Sequence, residues 1–175
     1  MNAPSTVWQG AGRRIHMQEV GLRDGLQMEK AFVPPADKIA LCNALSASGL
    51  SKIEVTSFTS PTAIPALKDA EVVMREITRR PGTVYTALVP NLRGAERAIE
   101  SRTDELNLVM SVGATHNLAN LRMTQEQSFA ALAQVVALAQ GANVAVNVSL
   151  SCVFGCPMEG DVAPVSYTHL TLPTI

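Results

Sequence analysis

Charge is scarce in this sequence, and neither sign is in excess. Charged residues make up 17% of the 175 residues, with 14 Lys and Arg against 15 Asp and Glu. Soluble domains usually carry about a quarter of charged residues, and nucleic acids or anionic membranes attract proteins with a basic excess. The composition therefore argues against nucleic acid and membrane as partners and favours a small-molecule ligand.

The sequence also lacks a membrane-spanning run and a secretory signal. Its most apolar stretch, residues 128–150, is interrupted by Gln134, Gln140 and Asn143, whereas a span needs about 18 or more apolar residues in succession. Residues 1–14 contain no apolar segment of the kind that signal peptides carry. We therefore expect a cytoplasmic protein in which residues 1–14 form a flexible N-terminus.

Cysteine is too rare for a disulfide framework, since the chain has only three. Cys152 and Cys156 are separated by three residues, not by the two that are typical of a zinc knuckle. We interpret these cysteines as structural thiols. Metal ligation is the alternative.

Five short β-rich runs alternate with four helix-like segments. The predicted strands cover residues 15–21, 52–56, 84–89, 105–112 and 144–151. The first helix is predicted from Pro35 to Gly49, with Ile39, Leu41, Cys42 and Leu45 on its apolar stripe. The second helix is predicted over residues 70–79, and the third follows the N-cap Asn91 and runs to about Ser101. The fourth helix begins at the N-cap Thr124, with Gln127 completing a capping box, and ends at the C-cap Gly141.

The spacing of these strands indicates a parallel sheet. Successive strands begin 21 to 39 residues apart, which leaves room for the dozen or more residues that a parallel crossover needs. The turn after the first strand, residues 21–25, lacks the three-glycine fingerprint of a doubly wound nucleotide-binding sheet. We therefore predict an α/β fold, a partial (β/α)₈ TIM barrel with about five of the eight parallel strands.

Polar residues lie near the ends of the predicted strands. In the fifth strand Asn147, Ser149 and Ser151 alternate with apolar residues, so one face is polar. Glu54 and Thr56 repeat this alternation on the second strand. Because parallel barrel strands are buried on both faces, polar residues near their carboxyl ends indicate a site at the barrel mouth.

Three charged residues lie on the first predicted strand and in the turn after it. Glu19 and Arg23 are four residues apart, and a buried charge must be paired or must bind a ligand. A structural Arg23–Glu19 network and a functional site are both open at this point. Asp24 beside Arg23 favours a site, because a carboxylate binds a hard cation and a guanidinium stabilises an anionic or enolate oxygen.

Four blocks of sequence occur in an order that resembles a known enzyme family. They read EVGLRDGLQ at 19–27, IEVTSF at 53–58, VPNLRG at 89–94 and SCVFGCPMEG at 151–160. These blocks resemble the hydroxymethylglutaryl-CoA lyases. Isopropylmalate synthases and biotin-dependent carboxyltransferase domains share the Arg-Asp pair but usually precede it with Asp-Thr-Thr, which this sequence lacks.

The resemblance implies an enzyme that cleaves 3-hydroxy-3-methylglutaryl-CoA, or a close 3-hydroxyacyl-CoA analogue, to acetyl-CoA and acetoacetate in leucine breakdown. It implies a divalent cation, Mg²⁺ or Mn²⁺, an acyl-CoA substrate, and a homo-oligomer as the parent protein. By carry-over, Asp24 is a metal ligand, Arg23 stabilises the enolate-like thioester oxygen, and Glu54 helps to order the catalytic site.

The resemblance also suggests which residues contact the substrate and which residues take no part in metal binding or acid–base catalysis. Gln27, Ser57, Asn107 and Ser149 are expected to contact the substrate, with ordinary hydrogen bonding inside the barrel as the alternative for the first three. His16 and His116 are poor metal-ligand candidates, because the metal-binding histidines of the family lie on a later strand. The catalytic cysteine of the family lies later still, so we do not expect Cys156 to be the general acid or base.

Three departures from the family pattern suggest an altered pocket. Met28 stands where an asparagine is usual, Ser149 where a tyrosine is expected, and Met158 where an aromatic residue is common. A serine in place of a tyrosine opens volume and removes a phenolic donor. We therefore expect the parent to accept longer-branched 3-hydroxyacyl-CoA substrates.

The pattern ends abruptly after Pro164. Residues 165–175 resemble a translated sequencing adapter, so we expect a non-native tail in which His169 has no role. The domain then covers residues 15–164 and is the N-terminal part of a TIM-barrel lyase. The alternatives are a non-catalytic paralogue, a barrel fragment that acts only by oligomerisation, and a related metal-dependent acyl-CoA enzyme with a different substrate.

Overall fold

The computed structural model describes residues 16–166 and Thr168. The predicted flexible N-terminus and most of the predicted adapter-derived tail lie outside these residues. In the described part, five parallel strands form one sheet in the order β1-β2-β3-β4-β5. The strands are Gln18–Glu19 (β1), Lys52–Ser57 (β2), Val84–Val89 (β3), Glu105–Ser111 (β4) and Ala145–Ser151 (β5).

The strand order follows the chain without a reversal, and each parallel pair is joined by a helical crossover. A doubly wound sheet would change direction at a switch point, whereas a barrel adds each new strand on the same side. The prediction of a partial TIM barrel is therefore confirmed, and the described residues form five strands of it.

Five α-helices connect these strands in the described part of the chain. They are Pro35–Ala47 (α1), Ala70–Glu76 (α2), Leu92–Glu100 (α3), Ala114–Leu121 (α4) and Gln125–Gly141 (α5). Asn91 caps α3 by accepting a hydrogen bond from the Gly94 N–H. The capping box predicted at Thr124 and Gln127 is present at the start of α5.

The helices differ from the predictions in five places, the first of which is that α1 ends at Ala47 and not at Gly49. The predictions named no helix over α4, whose eight residues are too few to show a clear apolar period. α2 ends at Glu76 and not at Arg79, and Gly141 is the last residue of α5 and not its C-cap. Leu41 is 44% exposed and does not belong to the buried stripe of α1.

The first strand is much shorter than predicted. Ile15 lies outside the described residues, and β1 is followed by a π-helical turn, Gly21–Gly25. The Val20 carbonyl accepts hydrogen bonds from the backbone N–H groups of Arg23 and Asp24, at 3.1 and 2.7 Å. Because these bonds end the extended conformation, Arg23 and Asp24 lie on a turn beyond the carboxyl end of β1.

A β-bulge changes which side chains of β2 share a face. Before the bulge Glu54 pairs with Thr86 of β3, and after it Ser57 pairs with Leu88. Thr86 and Leu88 are two residues apart and point to the same side of β3. Ser57 therefore shares the face of Glu54, and the prediction that Thr56 continues this face is wrong, because the extra residue shifts the alternation.

The apolar core lies between the sheet and the helices. The buried cluster includes Tyr85 and Leu106 from the sheet, Val73 and Met74 from α2, and Val135 from α5. Strand register places polar side chains on the opposite face, which is the inner face of the partial barrel. No helix among the described residues is long and apolar enough to cross a membrane.

Candidate active site

Charged side chains meet on the inner face near the carboxyl ends of the strands. Arg23 lies on the turn after β1, and Glu54 lies on the neighbouring β2. The Arg23 Nε and Nη2 atoms donate hydrogen bonds to the same Glu54 oxygen, Oε2, over 3.1 and 3.0 Å. Arg23 Nη1 donates to Asp24 Oδ1 over 2.6 Å.

Burial differs sharply along this chain of ion pairs. The Glu54 side chain is 1% exposed and that of Arg23 is 17% exposed. An unpaired carboxylate would be costly at the position of Glu54, so the Arg23 guanidinium is needed there for stability as well. Arg23 has five N–H groups, and three of them make these bonds. Two N–H groups, one on each Nη atom, are left for a ligand oxygen.

The structural Arg23–Glu19 network does not form. The Glu19 carboxylate accepts a hydrogen bond from the Gly21 N–H at 2.6 Å, while Arg23 turns towards Glu54. The π-helical turn explains this, because it removes Arg23 from the strand on which a four-residue spacing would have placed both side chains on one face.

Asn107 extends the cluster from β2 to β5. Its Nδ2 atom donates to Glu54 Oε1 over 2.8 Å. Its Oδ1 atom accepts from Asn147 Nδ2 at 3.0 Å and from Ser149 Oγ at 3.3 Å. Asn147 was named on the polar face of the fifth strand but not among the predicted substrate contacts, and that alternating face was the signal for its place in the cluster.

Asp24 is the exposed end of the cluster. Its side chain is 62% exposed, and its Oδ2 atom makes no hydrogen bond within the described part of the chain. This oxygen fits a single ligand position of a hard cation. Among the described residues there is no group of three or more His, Cys, Asp or Glu side chains that could hold a metal, so they do not form a complete metal centre.

Two predicted substrate contacts lie outside the network. Gln27 lines a cleft of about 400 Å³ together with Phe32 and Lys68. The Ser57 hydroxyl accepts a hydrogen bond from the Thr59 N–H at 3.3 Å. Hydrogen bonds therefore join five of the predicted site residues, namely Arg23, Asp24, Glu54, Asn107 and Ser149, whereas within the described residues none joins Gln27 or Ser57 to them.

The described histidines lie away from this cluster. His16 lines a cavity with Lys52 and Val84 at the amino ends of the strands. His116 Nδ1 is 2.7 Å from the Ser111 hydroxyl, at the end of β4. Neither side chain contacts Arg23.

The two later cysteines lie in a loop after β5. The backbone groups of Cys156 and Gly160 bond to each other, and Cys156 is buried. The Thr115 N–H donates to the Glu159 carboxylate at 2.7 Å, and hydrogen bonding from Thr115 lowers the pKa of Glu159. These contacts fasten the loop to the start of α4.

The fold and the cluster together define a class of protein. An arginine held by a buried glutamate, beside an exposed aspartate, lies where the strands of a parallel α/β barrel end, and this end carries the active sites of barrel enzymes. The chain is thus part of a barrel of the enzyme type. The model of one family, HMGL-like, matches residues 14–169, and the chain belongs to this family.

Individual relatives support this assignment. The chain is 47% identical over 150 residues to the hydroxymethylglutaryl-CoA lyase of Bacillus subtilis, covering 86% of this chain and 50% of the relative. It is 40% identical over 152 residues to a 3-hydroxy-3-isohexenylglutaryl-CoA/hydroxymethylglutaryl-CoA lyase of Pseudomonas aeruginosa, covering 87% and 51%. The chain therefore spans about half the length of the curated relatives it matches.

A solved structure gives the same result. The HMG-CoA lyase of Acinetobacter baumannii, in complex with coenzyme A and 3-methylmalate, superposes with a TM-score of 0.84 at 49% identity. The match covers 87% of this chain and 50% of that one. The arrangement of strands and helices in the partial barrel is thus that of the corresponding half of this lyase.

Proposed function

We propose that the complete protein containing this chain cleaves 3-hydroxy-3-methylglutaryl-CoA to acetyl-CoA and acetoacetate, or a close 3-hydroxyacyl-CoA analogue to acetyl-CoA and the corresponding 3-oxo acid. The tertiary hydroxyl loses its proton and becomes a carbonyl while the C2–C3 bond breaks. The electron pair of that bond passes to the thioester as an enolate, which takes up a proton to give acetyl-CoA. The names of the relatives support this reaction.

The observation that carries the proposal is the geometry of Arg23. Glu54 holds the guanidinium through two hydrogen bonds, and two further N–H groups remain for the thioester oxygen. Charge develops on this oxygen only as the carbon–carbon bond breaks. A donor already fixed in place stabilises the transition state more than the ground state, so it raises kcat.

A divalent cation, Mg²⁺ or Mn²⁺, is part of the proposal, since the family is generally metal-dependent. The exposed Asp24 carboxylate would supply one ligand to it. When bound, the cation lowers the energy of the deprotonated hydroxyl of the substrate. The remaining ligands would come from outside the described residues.

The small side chain of Ser149 on β5 supports a broader choice of acyl group. Ser149 lies on the inner face, where its small side chain reaches Asn107. The name of the Pseudomonas aeruginosa relative includes a substrate with a longer branch. We infer that the complete enzyme accepts a longer-branched 3-hydroxy-3-alkylglutaryl-CoA at least as well as the methyl compound, because shape is the main basis on which a pocket rejects a larger group. A cytoplasmic location, a homo-oligomeric state and a role in leucine breakdown stay predictions.

The experiment that tests the reaction measures turnover of 3-hydroxy-3-methylglutaryl-CoA by the complete enzyme. Arg23→Lys and Arg23→Met should lower kcat by about three or more orders of magnitude with little change in KM. Arg75→Met, on the exposed surface of α2, is the matched control and should keep normal kcat. Near-normal kcat in the Arg23 variants would contradict the proposed role.

The metal and the substrate have separate tests. Asp24→Ala should weaken Mg²⁺ or Mn²⁺ binding, as measured by titration calorimetry. Comparing kcat/KM for the methyl and a longer-branched substrate tests selectivity, and Ser149→Tyr should restore a preference for the methyl compound. A strong methyl preference that Ser149→Tyr leaves unchanged would refute the substrate proposal.

A further inference from the structure

Both polar atoms of the Asn107 side chain bond to protein groups, which leaves one N–H of the amide without a partner among the described residues. The amide nitrogen donates to Glu54 Oε1, and the amide oxygen accepts from Asn147 and Ser149. Its side chain is 6% exposed. These bonds favour the alternative given for Asn107, ordinary hydrogen bonding inside the barrel, because both ends of the amide contact protein groups.

We propose that Asn107 is a positioning residue, which holds the Glu54 carboxylate in the orientation that aims Arg23 and thereby couples β5 to the catalytic arginine. This proposal rests on the proposed function, because Arg23 is the group that it serves. The coupling follows one continuous path of hydrogen bonds, from Asn147 through Asn107 and Glu54 to Arg23.

The two oxygens of Glu54 have different partners, and this division is the physical basis of the proposal. Oε2 accepts both bonds from Arg23, whereas Oε1 accepts only the bond from Asn107. In a site that is 1% exposed, an oxygen without a donor costs free energy. Without the Asn107 amide, Glu54 would rotate to share Arg23 between both oxygens, and the guanidinium would turn with it.

The surrounding charges do not replace this amide. On the same face, one layer closer to the amino ends of the strands, Lys52 and Glu105 bond to each other at 2.7 and 2.8 Å. β3, between β2 and β4, presents Thr86, whose buried hydroxyl has no hydrogen-bond partner within the described residues. Among these neighbours only Asn107 donates a hydrogen bond to Glu54 Oε1.

The principal test replaces the amide by an apolar group of similar size in the complete enzyme. Asn107→Leu should lower kcat by about 10- to 100-fold while KM changes little, the range expected for losing one buried hydrogen bond to a charged group. Thr86→Val is the matched control, because it removes a buried hydroxyl on the adjacent strand to which no described residue is hydrogen-bonded. Its kcat should equal that of the unsubstituted enzyme.

A second variant separates positioning from a merely structural role. Asn107→Asp places a carboxyl 2.8 Å from Glu54. When this carboxyl is protonated, it can donate to Oε1 as the amide does. When it ionises, it repels Glu54. The kcat of Asn107→Asp relative to the unsubstituted enzyme should therefore fall as pH rises, whereas a defect in folding alone would lower the amount of active enzyme without this pH profile.

Two further measurements test the proposal even if Asn107→Leu does not fold or if the enzyme does not cleave the substrate. Asn147→Ala removes a donor to Asn107 from an exposed position and should lower kcat by about 2- to 10-fold. In ¹⁵N-arginine spectra, the Arg23 Nε–H signal, assigned from its loss in Arg23→Lys, should exchange with water faster in Asn107→Leu and in Asn147→Ala.

The outcomes separate this proposal from the proposed function. If the unsubstituted enzyme does not cleave the substrate, the proposed function fails, and the exchange measurement still decides whether Asn107 positions Arg23. Unchanged kcat and unchanged exchange in folded Asn107→Leu, or equal kcat losses in Asn107→Leu and Thr86→Val, would overturn the positioning role.

Discussion

The Lys38–Asp69 pair offers a sharp test of how burial sets the strength of an ion pair. Lys38 Nζ donates to both oxygens of Asp69, at 2.6 and 2.9 Å, and to the Ala66 carbonyl at 2.6 Å. It also lies 4.6 Å from the centre of the Phe32 ring. The side chains of Lys38 and Asp69 are 3% and 9% exposed. This pair therefore connects α1 to the start of α2 in a setting almost free of water.

Asp69→Ala should destabilise the protein by about 3–5 kcal/mol, because it leaves the buried Lys38 ammonium without its counter-ion. Loss of a helix cap does not account for this cost, since the Asp69 side chain makes no capping hydrogen bond to α2. Replacing both partners, as Lys38→Met with Asp69→Leu, should be nearly neutral or stabilising, because no charge is then left buried.

Glu71→Ala is the matched control. Arg97 Nε lies 2.6 Å from Glu71 Oε1, the same distance as in the buried pair, but the two side chains are 25% and 30% exposed. Its removal should cost about 1 kcal/mol or less. Urea unfolding followed by far-ultraviolet circular dichroism gives both values from the midpoints, provided that the slopes agree. Equal costs for Asp69→Ala and Glu71→Ala would refute the reasoning, because distance and not burial would then decide.

Three other predictions concern packing, thiol reactivity and pH. Gly94→Ala should destabilise the protein by about 1–3 kcal/mol in urea unfolding, because its Cβ would lie 2.7 Å from the Phe58 carbonyl oxygen. The control Gly141→Ala meets no atom within 4 Å and should not destabilise α5. A smaller cost for Gly94→Ala than for Gly141→Ala would contradict this prediction. Burial raises the pKa of Cys42 to about 11, so at pH 8 only about one Cys42 thiol in a thousand is ionised. Iodoacetamide should therefore label Cys42 in the unfolded chain but not in the folded chain. Burial alone would raise the pKa of Glu71, but the hydrogen bond from Arg97, a backbone hydrogen bond and the charges of Arg97 and Arg75 together outweigh burial, so the pKa is lowered. The stability that Glu71 contributes should be present above the ordinary glutamate pKa and lost as pH falls through the lowered value, and a pH dependence unchanged by Glu71→Ala would exclude this contribution.

Most of the fold could be predicted from local patterns. The capping box at Thr124 and Gln127 and the cap at Asn91 were correct, because caps depend on residues within one helical turn of each other. The five strands and their parallel order followed from strand spacing, because a parallel pair needs a long crossover. The short α4 was missed, since eight residues between a strand and a longer helix carry little periodic signal.

Several residues of the site could likewise be predicted from the sequence, but their arrangement could not. Arg23, Asp24 and Glu54 were selected as charged residues at strand ends, and the structure brings them together. One of the two alternatives left open for Arg23, the structural network with Glu19, was wrong. A spacing of four residues suggested Glu19 for Arg23, yet the partner is Glu54, which is 31 residues away.

The sequence by itself determined the elements, their parallel order and the types of side chain at the strand ends, because these depend on short-range patterns of polarity, capping and spacing. Only the tertiary structure decided which side chains meet. The π-helical turn after β1 directs Arg23 towards β2, the bulge in β2 exchanges Thr56 for Ser57 on the inner face, and strand register places Asn107 against Glu54. Each of these depends on backbone hydrogen bonds whose pattern changes with a shift of one residue, and a one-residue shift reverses the face of every side chain that follows.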